Sequence, residues 1–209
     1  MKKVVGILGG MGPAATAQFC RVLVQEFTER GAFEDSDYPR MIVLSLPLRE
    51  WGVGGAVDKA SVSDQVRDGV EWLIRAGAEI IAIPCNSVHE FYRRFSALGV
   101  PVINIIDETL VRARSAVVGV LCSRQTRAAA IYERPNISVL YLNNQEMVDE
   151  AICSVMRGRP VNIDRLISAL QEQGAGAVVL GCTELSRCPR ILPAIDSSVA
   201  LASALVSRV

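Results

Sequence analysis

The sequence predicts an α/β fold of two pseudo-symmetric lobes, each a short, mostly parallel sheet flanked by helices, with a binding cleft between them. Short β-branched runs alternate with segments of helical spacing, which is the signature of βαβ units. One strand-like run is echoed in the other half of the chain, where Val4-Val5-Gly6-Ile7-Leu8 is answered by Val117-Val118-Gly119-Val120-Leu121. A second echo is richer in chemistry. Ile81-Ala82-Ile83-Pro84-Cys85-Asn86-Ser87 and Val178-Val179-Leu180-Gly181-Cys182-Thr183 both read as strand, small breaker, cysteine, then a residue suited to cap a helix.

In chain order, the predicted strands run from Val4 to Leu8, Met41 to Leu46, Glu79 to Ile83, Val102 to Ile106, Val117 to Leu121, Ile137 to Leu142 and Ala177 to Leu180. Four apolar helix faces lie between them: Phe19, Val22, Leu23 and Phe27; Val62, Val66, Val70 and Leu73; Val148, Ala151, Ile152 and Val155; Ile163, Leu166, Ile167 and Leu170. Gly77, Gly99, Gly158 and Gly174 stand just past helical segments, where a left-handed residue is wanted. The lobe boundary is expected near Asp107. That divides the chain into a first lobe of 1–106 joined by a returning segment 197–209, and a second lobe of 107–196.

Half of the 209 residues are hydrophobic and 5% are aromatic, a balance that suits a core of Val, Ile, Leu and Ala. With 22 basic and 22 acidic residues there is no net field to draw nucleic acid or an anionic membrane. The apolar run after Met1-Lys2-Lys3 is broken by Gly6, Gly9, Gly10 and Gly12, so it reads as a strand and not a secretion signal. No run reaches the ~18 apolar residues of a membrane span. A cytoplasmic protein is the expectation. Six cysteines without CxxC pairing, and a single histidine, argue against a metal site and for a reducing compartment.

In open α/β sheets ligands bind beyond the carboxyl ends of the strands, which is where Cys85 and Cys182 stand. A thiol has an unperturbed pKa of ~8.5, and a helix N-terminus is expected to lower it toward neutrality. Inverting a stereocentre needs a base on one face of the carbon and an acid on the other, and two cysteines across a cleft supply one of each. Buried cysteines are otherwise inert packing residues. Cys20, Cys122, Cys153 and Cys188 take that reading, whereas the polar Asn86-Ser87 and Thr183-Glu184 beside the other two set them apart. His89, four residues beyond Cys85, reads as a helix-surface or interface residue.

Four segments in order, Gly6-Ile7-Leu8-Gly9-Gly10-Met11-Gly12-Pro13-Ala14-Ala15-Thr16, Pro84-Cys85-Asn86-Ser87-Val88-His89, Asn104-Ile105-Ile106-Asp107-Glu108-Thr109 and Leu180-Gly181-Cys182-Thr183-Glu184-Leu185, resemble the signatures of the aspartate/glutamate racemase family. The resemblance implies two α/β lobes, a homodimer, and racemisation of a small amino acid, aspartate or glutamate, without pyridoxal phosphate, metal or other cofactor. It makes Cys85 and Cys182 the catalytic pair and puts Met11, Asn86, Ser87, Thr126 and Thr183 around the substrate. Glu184, by its place after Thr183, reads as a further binding residue in a hydrogen-bond network behind Cys182, or as a first-turn acid favoured by the helix dipole. Arg49 matches an arginine that binds a carboxylate, a task suited to its two-pronged guanidinium.

Departures from the family pattern bear on the substrate. Leu48 stands where relatives have Asp, Ser87 where they have Thr, and Arg157 near a position often held by a lysine that reaches a second carboxylate. Ser123-Arg124-Gln125 replaces a smaller turn, and Trp51-Gly52-Val53-Gly54-Gly55 predicts a flexible segment. Rival readings are a nucleotide-dependent oxidoreductase, a two-lobe isomerase or decarboxylase of a small diacid, and a non-catalytic amino-acid-binding protein. The first rests on Gly10-Met11-Gly12-Pro13-Ala14-Ala15, but the next predicted strand ends Ser45-Leu46-Pro47 where an acidic residue should meet the ribose.

Overall fold

The computed structural model describes residues 2–52, 55–56 and 58–209. In the first half, β1 (Val5–Gly9) leads through a glycine-rich turn into α1 (Pro13–Glu29), followed by β2 (Met41–Ser45) and two short strands, β3 (Trp51–Gly52) and β4 (Gly55–Ala56). Next come α2 (Lys59–Arg75), β5 (Ile80–Ala82), a 3₁₀ turn at Ser87–Phe91, the short α3 (Tyr92–Phe95) and α4 (Ile105–Ala113). The second half runs through β6 (Val117–Leu121), α5 (Arg124–Ala128), β7 (Ser138–Leu140), α6 (Gln145–Met156), α7 (Asp164–Glu172) and β8 (Ala177–Leu180). A 3₁₀ turn at Thr183–Arg187, β9 (Ile195–Asp196) and α8 (Ser197–Val206) complete the chain.

Both main sheets are parallel, in the orders β2-β1-β5 and β7-β6-β8-β9. The two echoed runs form their central strands, β1 and β6. Every residue of β1 is buried, as helices on both faces of a parallel sheet require. Val102 makes an isolated parallel bridge to Ile81 beside β5, in the place that β9 takes beside β8. The helix after each is capped alike. Asn104 accepts from the N–H groups of Ile106 and Asp107, and Asp196 accepts from that of Ser198. The sheets and the helices that follow them therefore correspond between the lobes, with α4 matching α8 and the two packed together.

The strand expected from Val102 to Ile106 is corrected to that single bridge. Asn104 is an N-cap, and Asp107 and Glu108 in the first turn favour a helix start over the β preference of Ile103, Ile105 and Ile106. Of the flexible segment expected at 51–55, Val53 and Gly54 lie outside the described residues, while Trp51 and Gly52 pair antiparallel with Ala56 and Gly55. Gly77 and Gly174 close α2 and α7 at φ +96° and +97°, the left-handed conformation expected of them.

The core is continuous between lobes. Ile7 and Phe19 of the first join Val120 and Val179 of the second through α4 and through Leu201 and Leu205 of α8. The last helix has no polar stripe because it is buried nearly all round, against α1 and α4. No helix among the described residues is long and apolar enough to cross a membrane. Since Leu201 is fully buried, Leu201→Ala should cost about 3 kcal/mol of stability, measurable as a lowered urea midpoint at unchanged slope.

Candidate active site

The chain turns sharply after β5 and after β8, and Cys85 and Cys182 sit on those two turns, one from each lobe. Both line one cavity of about 260 Å³. The turn after β1 contributes Gly10, Met11 and Gly12 to the same space. Gly10 has φ +93°, and a Cβ there would lie 2.5 Å from the backbone nitrogen of Leu46, so no larger residue fits.

Each sulfur faces the start of a 3₁₀ turn. The N–H groups of Val88 and Ser87 point at the Cys85 thiol, and those of Glu184 and Leu185 at the Cys182 thiol. These donors favour thiolate, as the sequence suggested, but burial wins. Desolvation pushes the Cys85 thiol up to about 11, with the Glu184 carboxylate adding to the rise. It pushes the Cys182 thiol up to about 12, and there both Glu184 and Cys85 add to it. The expected lowering of the two thiols is thus corrected: a short 3₁₀ turn offers two N–H groups, too little to offset removal from water.

Polar bonds between the halves of the chain surround the thiols. Thr183 Oγ1 donates to the Pro84 carbonyl at 3.1 Å. Asn86 Nδ2 donates to Ser197 Oγ at 3.0 Å, while its Oδ1 accepts from the Tyr132 hydroxyl at 2.7 Å. Ser87 Oγ shares hydrogen bonds with Thr126 Oγ1 at 2.8 Å and Ser123 Oγ at 3.2 Å. Glu184 accepts from the Ala15 N–H in the first turn of α1 and pairs with Arg187 at 3.4 Å. Burial, the larger influence, holds its carboxyl above the usual range.

Of the residues singled out in the sequence, Met11, Asn86, Ser87, Thr183 and Glu184 line the cavity with the two cysteines. Thr126 is fully buried one step behind Ser87 and does not line it. Arg49 is exposed and is not brought to the wall: the Gln65 side chain holds its backbone N–H and carbonyl, and it is the neighbouring Leu48 that lines the cavity. Arg157 borders a separate outer groove with Arg124 and Asp149. Sequence reasoning missed Ile152 and Met156 and took Trp51 and Gln125 only as parts of segments that depart from the family pattern, but all four stand on the cavity wall. Ile152 and Met156 belong to the apolar stripe of α6, which reads as core until the cavity is seen. The Gln125 amide nitrogen is buried without a hydrogen-bond partner among the described residues.

His89 is neither a surface nor an interface residue. Its Nδ1–H donates to the Cys85 carbonyl at 2.8 Å, and its Nε2 accepts from the Ile105 N–H at 3.4 Å, a pairing that fixes the neutral tautomer. It ties the Cys85 turn to the start of α4. Among the described residues no group of three or more His, Cys, Asp or Glu is placed to hold a metal ion.

The model of the Asp/Glu/hydantoin racemase family matches residues 8–205. The chain belongs to that family. Across 98% of its length it is 31% identical to the broad specificity amino-acid racemase RacX of Bacillus subtilis, of which 97% is covered. Aspartate racemase from Picrophilus torridus superposes at a TM-score of 0.77 with 25% identity, over 99% of this chain and 94% of that one. A glutamate racemase from Aquifex pyrophilus, 17% identical, shares the fold at a TM-score of 0.65 over 100% and 84%. The protein is accordingly an isomerase of the amino-acid racemase type, with the two-lobe architecture of these relatives.

Within this racemase, burial holds His89 down to about 4, so the fold prefers the neutral ring that the unfolded chain protonates near 6.5. Its contribution is complete above pH 6.5 and is lost as pH falls toward 4, a loss of about 3 kcal/mol. Urea titrations at pH 7 and pH 4.5 should show this loss, and His89→Phe should remove it; an unchanged pH slope in that variant would refute the assignment.

Proposed function

We propose that this racemase inverts the α-carbon of an amino acid by a two-base reaction in which Cys85 and Cys182 alternate as base and acid. The observation that carries the reading is that each lobe delivers one cysteine to a single cavity. One thiolate takes the Cα proton while the opposite thiol delivers its own to the other face; exchanging the roles runs the reaction backward. The side chains of Asn86 and Thr183 are engaged within the protein, so it is their backbone N–H groups, at the starts of the two 3₁₀ turns on the cavity wall, that would meet the α-carboxylate. Retention of both cysteines favours racemisation over the diacid isomerisation or decarboxylation that one thiol would serve. The reading invokes no cofactor. It divides the lobes as 1–106 with 197–209 against 107–196, and the resemblance supports a homodimer in solution, for which light scattering should return twice the chain mass.

Aspartate and glutamate come to this chain from the resemblance and from the names of its neighbours, and they require a countercharge for the side-chain carboxylate. Arg49 would have to turn inward from its exposed position to supply one.

Cys85→Ala and Cys182→Ala should each lower the rate of D/L interconversion by about 10² to 10⁴-fold with an unchanged circular dichroism spectrum. Serine at either position should be severely impaired as well, a hydroxyl being a far weaker base at neutral pH. Full activity in either alanine variant would overturn the mechanism. Because both thiols are held above neutrality, the thiolate fraction of the free enzyme, and with it kcat/KM, should rise about tenfold per pH unit between 7 and 9; a flat profile would mean that one thiol is already ionised.

A further inference from the structure

Charge on the described cavity wall has one sign, the Arg187 partner of Glu184 lying behind it. Its ionisable side chains, among the described residues, are Cys85, Cys182 and Glu184, and each of them is either neutral or negative. Among the described residues no lysine, arginine or histidine reaches its wall. Both cations that the sequence offered for a side-chain carboxylate lie elsewhere, Arg49 exposed beside Leu48 and Arg157 on the outer groove. The unpartnered donor on the wall, the Gln125 amide, is uncharged. What the cavity does offer a side chain is apolar surface from both lobes: Leu48 and Trp51 from the first, Ile152 and Met156 from α6 in the second.

Resting on the two-thiol reading above, we infer that the substrate is an amino acid with an uncharged, apolar side chain of the size of leucine or methionine, held between Leu48 and Trp51 on one side and Ile152 and Met156 on the other. A carboxylate placed there would lose its hydration and find no countercharge among the described wall residues. An aliphatic or thioether chain would bury apolar surface at no such cost. An ammonium group at the end of a long side chain is also poorly served, because Glu184 is already engaged by Arg187 and by the first turn of α1.

The test is a panel of L- and D-leucine, methionine, aspartate, glutamate and lysine, followed by proton NMR in heavy water for loss of the Cα signal and by polarimetry for inversion. Leucine or methionine should give kcat/KM at least ten times that of either acidic amino acid. A faster reaction with aspartate, glutamate or lysine would overturn the inference and leave the two-thiol mechanism standing. Absence of Cα exchange with every amino acid would overturn both. Met156 is half exposed, so a lysine there stays solvated when the cavity is empty. Met156→Lys should raise kcat/KM for aspartate or glutamate at least tenfold relative to leucine, whereas an unchanged ratio would remove this wall from substrate selection.

Discussion

Two sulfur atoms are taken out of water at the place where two parallel sheets end, and the surroundings of the cleft follow from that burial. Polar groups buried beside the cavity need partners, and most of those next to the thiols have them. Asn86 accordingly donates to Ser197 and accepts from Tyr132, and Thr183 donates to the carbonyl just before Cys85. Ser87 joins Ser123 and Thr126 across the gap. These bonds tie each cysteine-bearing turn to the opposite half of the chain and so fix where the thiols stand.

Burial acts on the thiols in two directions. It makes the thiolate scarce, since both Cys85 and Cys182 are pushed well above neutrality. It also makes the thiolate, once formed, a stronger base toward carbon than a solvated one, which suits removal of a weakly acidic Cα proton. The pairs of N–H groups aimed at each sulfur limit the first effect without removing the second. The Cys85 site raises the Cys182 thiol further, and in the proposed two-thiol reaction that coupling would keep one thiol protonated while the other ionises.

The parallel strands, the four main helix faces and the two cysteine turns were legible in the sequence because each has a local cause: β-branched runs, 3.6-residue spacing, and a small residue before a cysteine. What the sequence concealed was decided by tertiary packing. The segment 102–106 looks like a strand by composition, but one capping residue, Asn104, makes it a helix start. Helix α8 lacks periodicity because it is enclosed, and its apolar residues give no face to read. Ile152 and Met156 look like core because a cavity wall and a core have the same composition. The cysteines were read as activated by a helix N-terminus, since desolvation depends on what covers a residue, and sequence spacing does not report that.

Glu184 shows how one carboxylate can serve both the fold and the cleft. Helix α1 has Gly12 as its N-cap, with no side-chain cap and no acidic residue in its first turn, so its N-terminal donors lack a local side-chain partner. Glu184, from the other lobe, takes that place and receives the Ala15 N–H. Glycine at position 12 leaves it room, since a Cβ there would sit 2.7 Å from Glu184 Oε1 and the carboxylate would have to shift. The helix dipole and Arg187 favour its charged form while burial opposes it. A carboxylate so held raises both neighbouring thiols and leaves the cavity with negative character, and the same residue that joins the lobes therefore sets a charge condition on what can enter between them.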